Sequence, residues 1–377
     1  MYGYKPTPRT PWITALCTIL LLWSLWVLDV PGGRHSNEQA VNSSAGDEIL
    51  EPSVANVSPK PIALPQPIIS PKPKDRPLIL YAYTESDHSR INLKFFISHG
   101  LHAAADFIFI LNGETNASSL IPKEENIKYV ERQNDCYDLG SYAEVLTKDN
   151  LYKKYKKFIM LNASIRGPYL PYWAQSCWSD VYLDRITATT KLVGMTANCQ
   201  PAMHVQSMIW ATDLTGMETL LYPTKSTIQN LPELPYFRIT GPQDAPEELH
   251  PPGINSCFHS RNAAVNAEIR AASLMKAAGY ESDAMMSAFH GYGIAHDSRL
   301  NPQEPKGADT RKSYLERWCD LVNTGDVLWN GAYFGTNVHP FEMIFAKSHR
   351  DIDNIALERL TSWMDGSGFS SYKYCKE

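Results

Sequence analysis

The stretch KKFIMLNAS (Lys156–Ser164) begins with two lysines, runs through four apolar residues and leaves through an Asn-Ala-Ser turn. A short, continuous apolar run with a polar exit reads as a strand covered on both faces. Three upstream runs also read as strands: LILYAY (Leu78–Tyr83), DFIFILNG (Asp106–Gly113) and IKYVERQ (Ile127–Gln133). Between them INLKFFISHGL (Ile91–Leu101) and YDLGSYAEVLTK (Tyr137–Lys148) carry helical spacing. Apolar strands alternating with helices predict an α/β fold with a mainly parallel central sheet flanked by helices. Ligands of such sheets bind outside the carboxyl ends of the strands. NDCYD (Asn134–Asp138) and NASIRGP (Asn162–Pro168) are two such ends.

Further on, TKLVGMTANC (Thr190–Cys199) and VQSMIWATD (Val205–Asp213) read as strands. SRNAAVNAEIRAASLMKAAGY (Ser260–Tyr280) reads as a helix closed by Gly279, and HPFEMIFAKSHRDI (His339–Ile352) as a helix with Pro340 at its first position. Thr224 to Pro252, rich in proline and acid, reads as a long loop and a candidate lid. No internal repeat is visible.

The 377 residues are 44% apolar and 20% charged, with a net charge of −5 that gives no reason to expect a nucleic-acid partner. Residues 1–11 hold Lys5 and Arg9 and no acid, and WITALCTILLLWSLWVL (Trp12–Leu28) holds no charge at all. That run approaches the roughly 20 residues that span a bilayer and exceeds the usual core of a cleaved signal peptide. The plan predicted is a cytoplasmic tail (1–11), a transmembrane signal anchor (12–30), a proline-rich stem (31–75) and a lumenal catalytic domain (76–377). Such a plan is that of a single-pass type II membrane protein of the Golgi or another secretory compartment, expected to be held to the membrane by its anchor. The six cysteines beyond the anchor suit three disulfides in an oxidising lumen, with fifteen pairings open and no CxxC pair to suggest zinc. Sequons at Asn42, Asn56 and Asn116 are candidate glycosylation sites that agree with that address.

In RQNDCYD (Arg132–Asp138), Asp138 near a helix start can bind a ribose or base and Arg132 a phosphate. Equally, Asp138 can cap the helix while Arg132 lies on the surface. Asn162 and Ser164 also form a sequon, but one that leaves a buried strand; an Asx turn explains them as well as a ligand site does.

Together, R-x-N-x-C-x-D and, about two dozen residues later, N-A-S-x-x-G-P resemble the rhamnan synthesis F family of polysaccharide glycosyltransferases, which shows R-x-N-x-G-x-D and then N-D-S-x-x-G-P. The likeness covers roughly Leu78 to Pro171. With YDLGSYAEVL, DVLWNGAYFGTNVHP and the anchor, the longer pattern is similar to fungal type II glycosyltransferase-like proteins. The resemblance implies a GT-A-like fold that takes a nucleotide-sugar donor, with Arg132, Asn134, Asp138, Asn162, Ser164 and Gly167 at the donor. Cys136 replaces a glycine, and Ala163 replaces the aspartate that would ligate a divalent cation such as Mn or Mg, so no metal ligand is assigned.

Without a metal, the leaving diphosphate needs cations or helix N-termini. Lys347 and Arg350 are candidates for it, expected on one face of the helix that begins at Pro340, and His339 and Glu342, one turn apart, are candidate catalytic residues facing the donor or the reacting oxygen. Glu342, then Asp213, then Asp283 are candidate general bases, each also readable as a cap or surface acid. Tyr169 and Trp173, in a cluster with Tyr172 and Trp178, are candidate acceptor contacts; equally, aromatic residues fill cores. The function expected is transfer of a sugar to a hydroxyl of a glycan or small metabolite. A membrane-tethered polysaccharide hydrolase, which needs two facing carboxylates, and a non-catalytic carbohydrate-binding protein are the alternatives.

Overall fold

The computed structural model describes residues 75–290, 316, 319, 325–350 and 353–375. The tail, the anchor, nearly all of the stem, Asn42 and Asn56 lie outside the described residues. Among those described, no helix is long and apolar enough to cross a membrane.

The apolar runs form the strands they predict. β1 (Leu78–Thr84) leads to α1 (Asp87–His99), capped by Ser86, whose hydroxyl accepts the Ser89 N–H at 3.2 Å. β2 (Asp106–Asn112), β3 (Ile127–Arg132), α2 (Tyr137–Thr147), β4 (Lys157–Asn162) and the short β5 (Ile165–Arg166) follow. Next come α3 (Trp178–Leu183), β6 (Thr190–Gly194), β7 (Ala197–Asn198), β8 (His204–Val205) and β9 (Ile209–Asp213). The chain continues through α4 (Leu214–Leu221), α5 (Lys225–Gln229), α6 (Arg261–Ala277) and β10 (Glu281–Ala284). It closes with α7 (Pro340–Met343), β11 (Ala346–Lys347) and α8 (Asn354–Ser367).

Seven strands make one sheet in the order β10-β6-β9-β4-β1-β2-β3. All neighbours are parallel except those of β9, which runs against both β4 and β6. The result is a mixed α/β fold with a mostly parallel sheet flanked by helices, which fits the GT-A-like expectation. The chain builds outward from β1 through β2 to β3, then crosses back to lay β4 on the other side of β1. This reversal opens a crevice at the carboxyl ends of β1 and β4. Tyr81, Phe96, Phe109, Phe158, Trp178 and Trp210 are buried in the main core. A smaller core of Phe95, Tyr169, Ala346, Leu357, Leu360 and Met364 seats α8.

Three expectations need correction. The helix predicted over His339–Ile352 is one turn long: Ile344 takes φ +68°, and the chain reverses into β11, which pairs antiparallel with β5. Phe345 is the reason, since it fills the core between Phe96, Trp178 and Tyr182. The reversed backbone is satisfied by the Tyr169 N–H, which donates to Ile344 O at 2.6 Å. Secondly, both later runs are broken: TKLVGMTANC gives β6 only to Gly194 and a separate β7 paired with β8, and VQSMIWATD, interrupted after Val205, begins β9 only at Ile209, in the antiparallel sense. Thirdly, the long loop contains α5 and is strapped to α6. Asn266 exchanges hydrogen bonds with the Phe237 backbone at 2.8 and 2.7 Å, and Asn262 accepts the Ile239 N–H at 2.8 Å.

Gly167 sits where these segments meet. A Cβ there would lie 2.5 Å from the Phe345 ring and 2.7 Å from Ile344 O. Gly167→Ala is therefore expected to destabilise the fold by about 1–3 kcal/mol, the range for overpacking a filled core. Gly366→Ala, whose Cβ meets nothing within 4 Å, is the control. Thermal unfolding of the two variants checks this: a lowered Tm is expected for the first alone.

Candidate functional site

The six cysteines from Cys136 onward are all paired, as Cys136–Cys257, Cys177–Cys375 and Cys199–Cys319. The first bridge fixes the start of α2, where Gly140 packs against Ser256 O. Cys136 occupies the cap position without a side-chain hydrogen bond, so Asp138 is not the cap. Its carboxylate reaches across to β4 instead.

Asn162, buried at the end of β4, donates from Nδ2 to Asp138 Oδ2 at 2.6 Å. Its Oδ1 accepts the Ser164 N–H at 3.1 Å and the Ser164 hydroxyl. The Asx turn is present, and its amide is at the same time spent on Asp138. Pairing of β11 with β5 places Lys347 opposite Ile165 and lets Nζ donate to Ser164 Oγ at 2.9 Å. A continuous polar chain thus runs Asp138–Asn162–Ser164–Lys347 at the crevice. Burial pushes the Asp138 carboxyl up to about 6, against the opposing pull of Lys347 and the Asn162 amide. Burial, then Arg350, brings the Lys347 ammonium down to about 8. Each group is charged in a setting that under-solvates it. The exposed His349 ring is held down at about 4 by desolvation and by the same two cations.

Arg350 pairs with Asp326 and lies 4.8 Å from the ring centre of Trp329, an exposed aromatic. Asp326 also accepts from Gln206 Nε2 at 3.2 Å. Glu268, on α6, accepts the Ser207 hydroxyl and acts electrostatically on both Asp138 and Lys347. No pattern marked Glu268 in the sequence, where it is one acid in an alanine-rich helix. Glu85, at the end of β1, was likewise unmarked. Its carboxylate is saturated by Tyr83 (2.9 Å), Thr115 (2.5 Å) and Arg90 (2.8 and 2.6 Å), chiefly Arg90 holding it down at about 2.

Other candidates are placed elsewhere. Arg132 is engaged by Asn112 (2.8 Å), Asp135 (2.8 Å) and Glu144 (2.7 Å) and ties the β3–α2 loop together. Asn134 is exposed in that loop. Because β9 is antiparallel, Asp213 lies opposite Lys157, at the amino edge of β4 and away from Asn162. There it caps α4 through Gly216 N at 2.9 Å and pairs with Lys191 at 2.5 Å. Asp283 is bound by Arg185 at 2.5 Å and His290 at 3.2 Å. Glu342 accepts from Tyr333 OH at 2.6 Å and from the Ser287 N–H. His339 caps α7, its Nδ1 accepting the Phe341 N–H at 3.1 Å, and lines with Lys347 a cleft of ≈ 50 Å³. Tyr169 is wholly buried, hydrogen-bonded to Thr361 at 2.8 Å, and Trp178 is core; neither can stack on a ligand. Trp173, 70% exposed, can. Asn116 is exposed, with Arg90 on its Oδ1 at 2.6 Å.

A divalent cation does not fit the position the family motif marks for it. Ala163 is buried, its N–H spent on Ala82 O at 2.9 Å and its carbonyl accepting Asn92 Nδ2 at 2.8 Å. An ammonium already stands on Ser164, and a hard cation needs several free oxygens instead. Among the described residues the two His/Cys/acid groupings of ligand spacing contain disulfide-bonded cysteines.

No family model matches the chain, and no curated protein matches it. Among solved structures it is similar to a cytidylyltransferase from Leptospira borgpetersenii serovar Hardjo-bovis (strain JB197), at 13% identity and a TM-score of 0.25. The match covers 39% of this chain and 63% of that one, too slight a superposition to bear on fold or chemistry.

Proposed function

We propose that the chain is a GT-A-like glycosyltransferase that moves a sugar from a nucleotide-sugar donor to a hydroxyl of a glycan or small metabolite. In this reading it is a type II membrane protein of the Golgi or a neighbouring secretory compartment. One observation carries the proposal: the two stretches that resemble the rhamnan synthesis F family meet through the Asn162–Asp138 hydrogen bond, at the sheet's switch point, beside Lys347.

The donor's diphosphate is seated against Lys347, whose ammonium makes no direct ion pair among the described residues; Arg350 adds to the field from its pair with Asp326. As the bond to the sugar breaks, negative charge grows on the departing phosphate oxygen, and a fixed ammonium stabilises it without reorganisation. Asp138 and Asn162 face the nucleoside. The replacement at Ala163 also supports a second reading, a carbohydrate-binding protein that holds a nucleotide sugar without turnover.

The test is nucleotide release by the full chain over a panel of UDP- and GDP-sugars, with manganese and with EDTA. Release from one donor that survives EDTA is expected. Binding of a donor without release would favour the second reading, and the absence of both binding and release would remove the transferase reading.

A further inference from the structure

An acceptor hydroxyl must lose its proton as it attacks, and the three acids first considered for that task are tied up elsewhere. Asp213 is on the far edge of the sheet, Asp283 is clamped by Arg185, and Glu342 is spent on Tyr333 and Ser287. The antiparallel course of β9 has another effect. It returns the segment just before β9 to the carboxyl edge, where Asn162 N–H donates to Met208 O at 3.0 Å. The next residue back, Ser207, hydrogen-bonds Glu268 Oε2 and so fixes the rotamer of that carboxylate beside the polar chain of the site. The other oxygen, Oε1, stands 3.7 Å from His204 Nε2, beyond hydrogen-bond reach. His204 uses its Nδ1–H on Ala202 O at 2.8 Å, which leaves Nε2 without a proton in the neutral ring. Among the described residues, then, no donor lies within hydrogen-bond distance of Glu268 Oε1, although His204 stands at ion-pair distance from it. The side chain keeps 18% of its surface exposed.

From this placement we propose that Glu268 is the general base of the transfer, an assignment that rests on the transferase reading. Oε1 takes the proton of the acceptor hydroxyl. The acceptor oxygen forms its bond to the anomeric carbon while the bond from that carbon to the diphosphate oxygen breaks. The electron pair leaves with the nucleoside diphosphate, beside Lys347. A single displacement of this kind inverts the anomeric configuration. Ser207 is the positioning residue.

Water serves as the acceptor in the test, so no acceptor need be known. The full chain and its Glu268→Gln and Glu268→Ala variants are assayed for hydrolysis of UDP- and GDP-sugars, with UDP and GDP binding measured by calorimetry. Both variants are expected to bind nucleotide within about threefold of wild type and to lose about 10²–10⁴-fold in turnover, the range for removal of a general base. Sodium azide added to Glu268→Ala is expected to restore nucleotide release and yield a glycosyl azide of inverted configuration, which a merely structural role would not produce. Turnover of Glu268→Gln within tenfold of wild type, a product of retained configuration, or azide rescue of Asp138→Ala instead would overturn the assignment and leave the transferase reading standing. Failure of wild type both to bind nucleotide and to consume any donor would remove that reading, and the assignment with it.

Discussion

Lys347→Met is expected to cut donor turnover by about 10²–10³-fold, the cost of losing one preorganised group that meets charge developing in a transition state. Methionine keeps the length and apolar stem of lysine, so β11 and its pairing with β5 should survive the change. The effect should fall mainly on kcat, because the ammonium gains most of its interaction as the phosphate departs. Arg350→Met should cost less in turnover, since that guanidinium is already neutralised by Asp326. Parallel kinetics on the two variants check the order. Equal losses would mean that the two cations act as one binding patch.

The pH dependence of the site follows from the same residues. Lys347 loses its proton through about pH 8 in the free protein, so turnover at low donor should decline above that pH. Lys347→Met should lack this alkaline limb. Stability runs the other way. A lysine whose folded pKa is lowered makes the folded state release its proton early, so its penalty is present below about pH 8 and is relieved as pH rises toward the unfolded value. Asp138, raised to about 6, costs stability as pH climbs from the ordinary carboxylate range through 6. Between about 6 and 8 both groups are charged at a cost to the empty fold, a cost that a bound anion beside Lys347 would offset. Asp138→Asn is accordingly expected to raise the Tm at pH 7 while impairing donor binding, the combination that separates a strained binding group from a structural one.

How far the chain could be read without coordinates depended on what kind of signal each element leaves. LILYAY, DFIFILNG and KKFIMLNAS are apolar enough to be strands in almost any context, and their spacing, with the more polar IKYVERQ at the edge, sets a parallel sheet. An apolar run carries no direction, however. MIWATD reads identically up or down, and the antiparallel choice of β9 alone sends Asp213 to the wrong edge and Ser207 to the right one. HPFEMIFAKSHRDI carries helical spacing, yet Phe345 is worth more in the core than in a second helical turn, and Ile344 takes the left-handed conformation to deliver it there. Tyr169 and Trp173 are both aromatic residues in one loop, and only packing against Phe95 and Thr361 separates the buried one from the exposed one. Arg132 looked like a free cation because Glu144, which holds it, lies twelve residues on, across a loop. Asp138, Asn162, Ser164 and Lys347 were legible as candidates. Their hydrogen-bonded chain was not, because it needs β5 and β11, two-residue strands far apart in sequence with no pattern of their own.

Removal of the Cys177–Cys375 bridge, as Cys177→Ala with Cys375→Ala, should be the most destabilising change in the folded domain. The bridge spans 198 residues of sequence, and in the chain-entropy account a loop of that length restrains the unfolded state by about 5 kcal/mol, with native disulfides typically measured at 2–5. Alanine avoids leaving a buried hydroxyl unpaired, since both cysteines are nearly inaccessible. The loss should also reach the site. Cys375 anchors the chain after α8, where Ser371 Oγ donates to His99 O and His99 Nε2 meets Asp365 at 2.7 Å. Helix α8 in turn holds Arg166 of β5 through Thr361 at 3.1 Å and covers Ala346 of β11. Those two strands set Lys347 against Ser164. Guanidinium unfolding of the double variant should show a midpoint far below that of wild type. Under native conditions its turnover should be reduced more than that of Cys199→Ala with Cys319→Ala, whose bridge closes a loop of 120 residues. A midpoint shift matching less than about 1 kcal/mol would mean that packing of α8 alone holds this end of the chain. Full turnover in a destabilised variant would mean that Lys347 is positioned by β5 without help from α8.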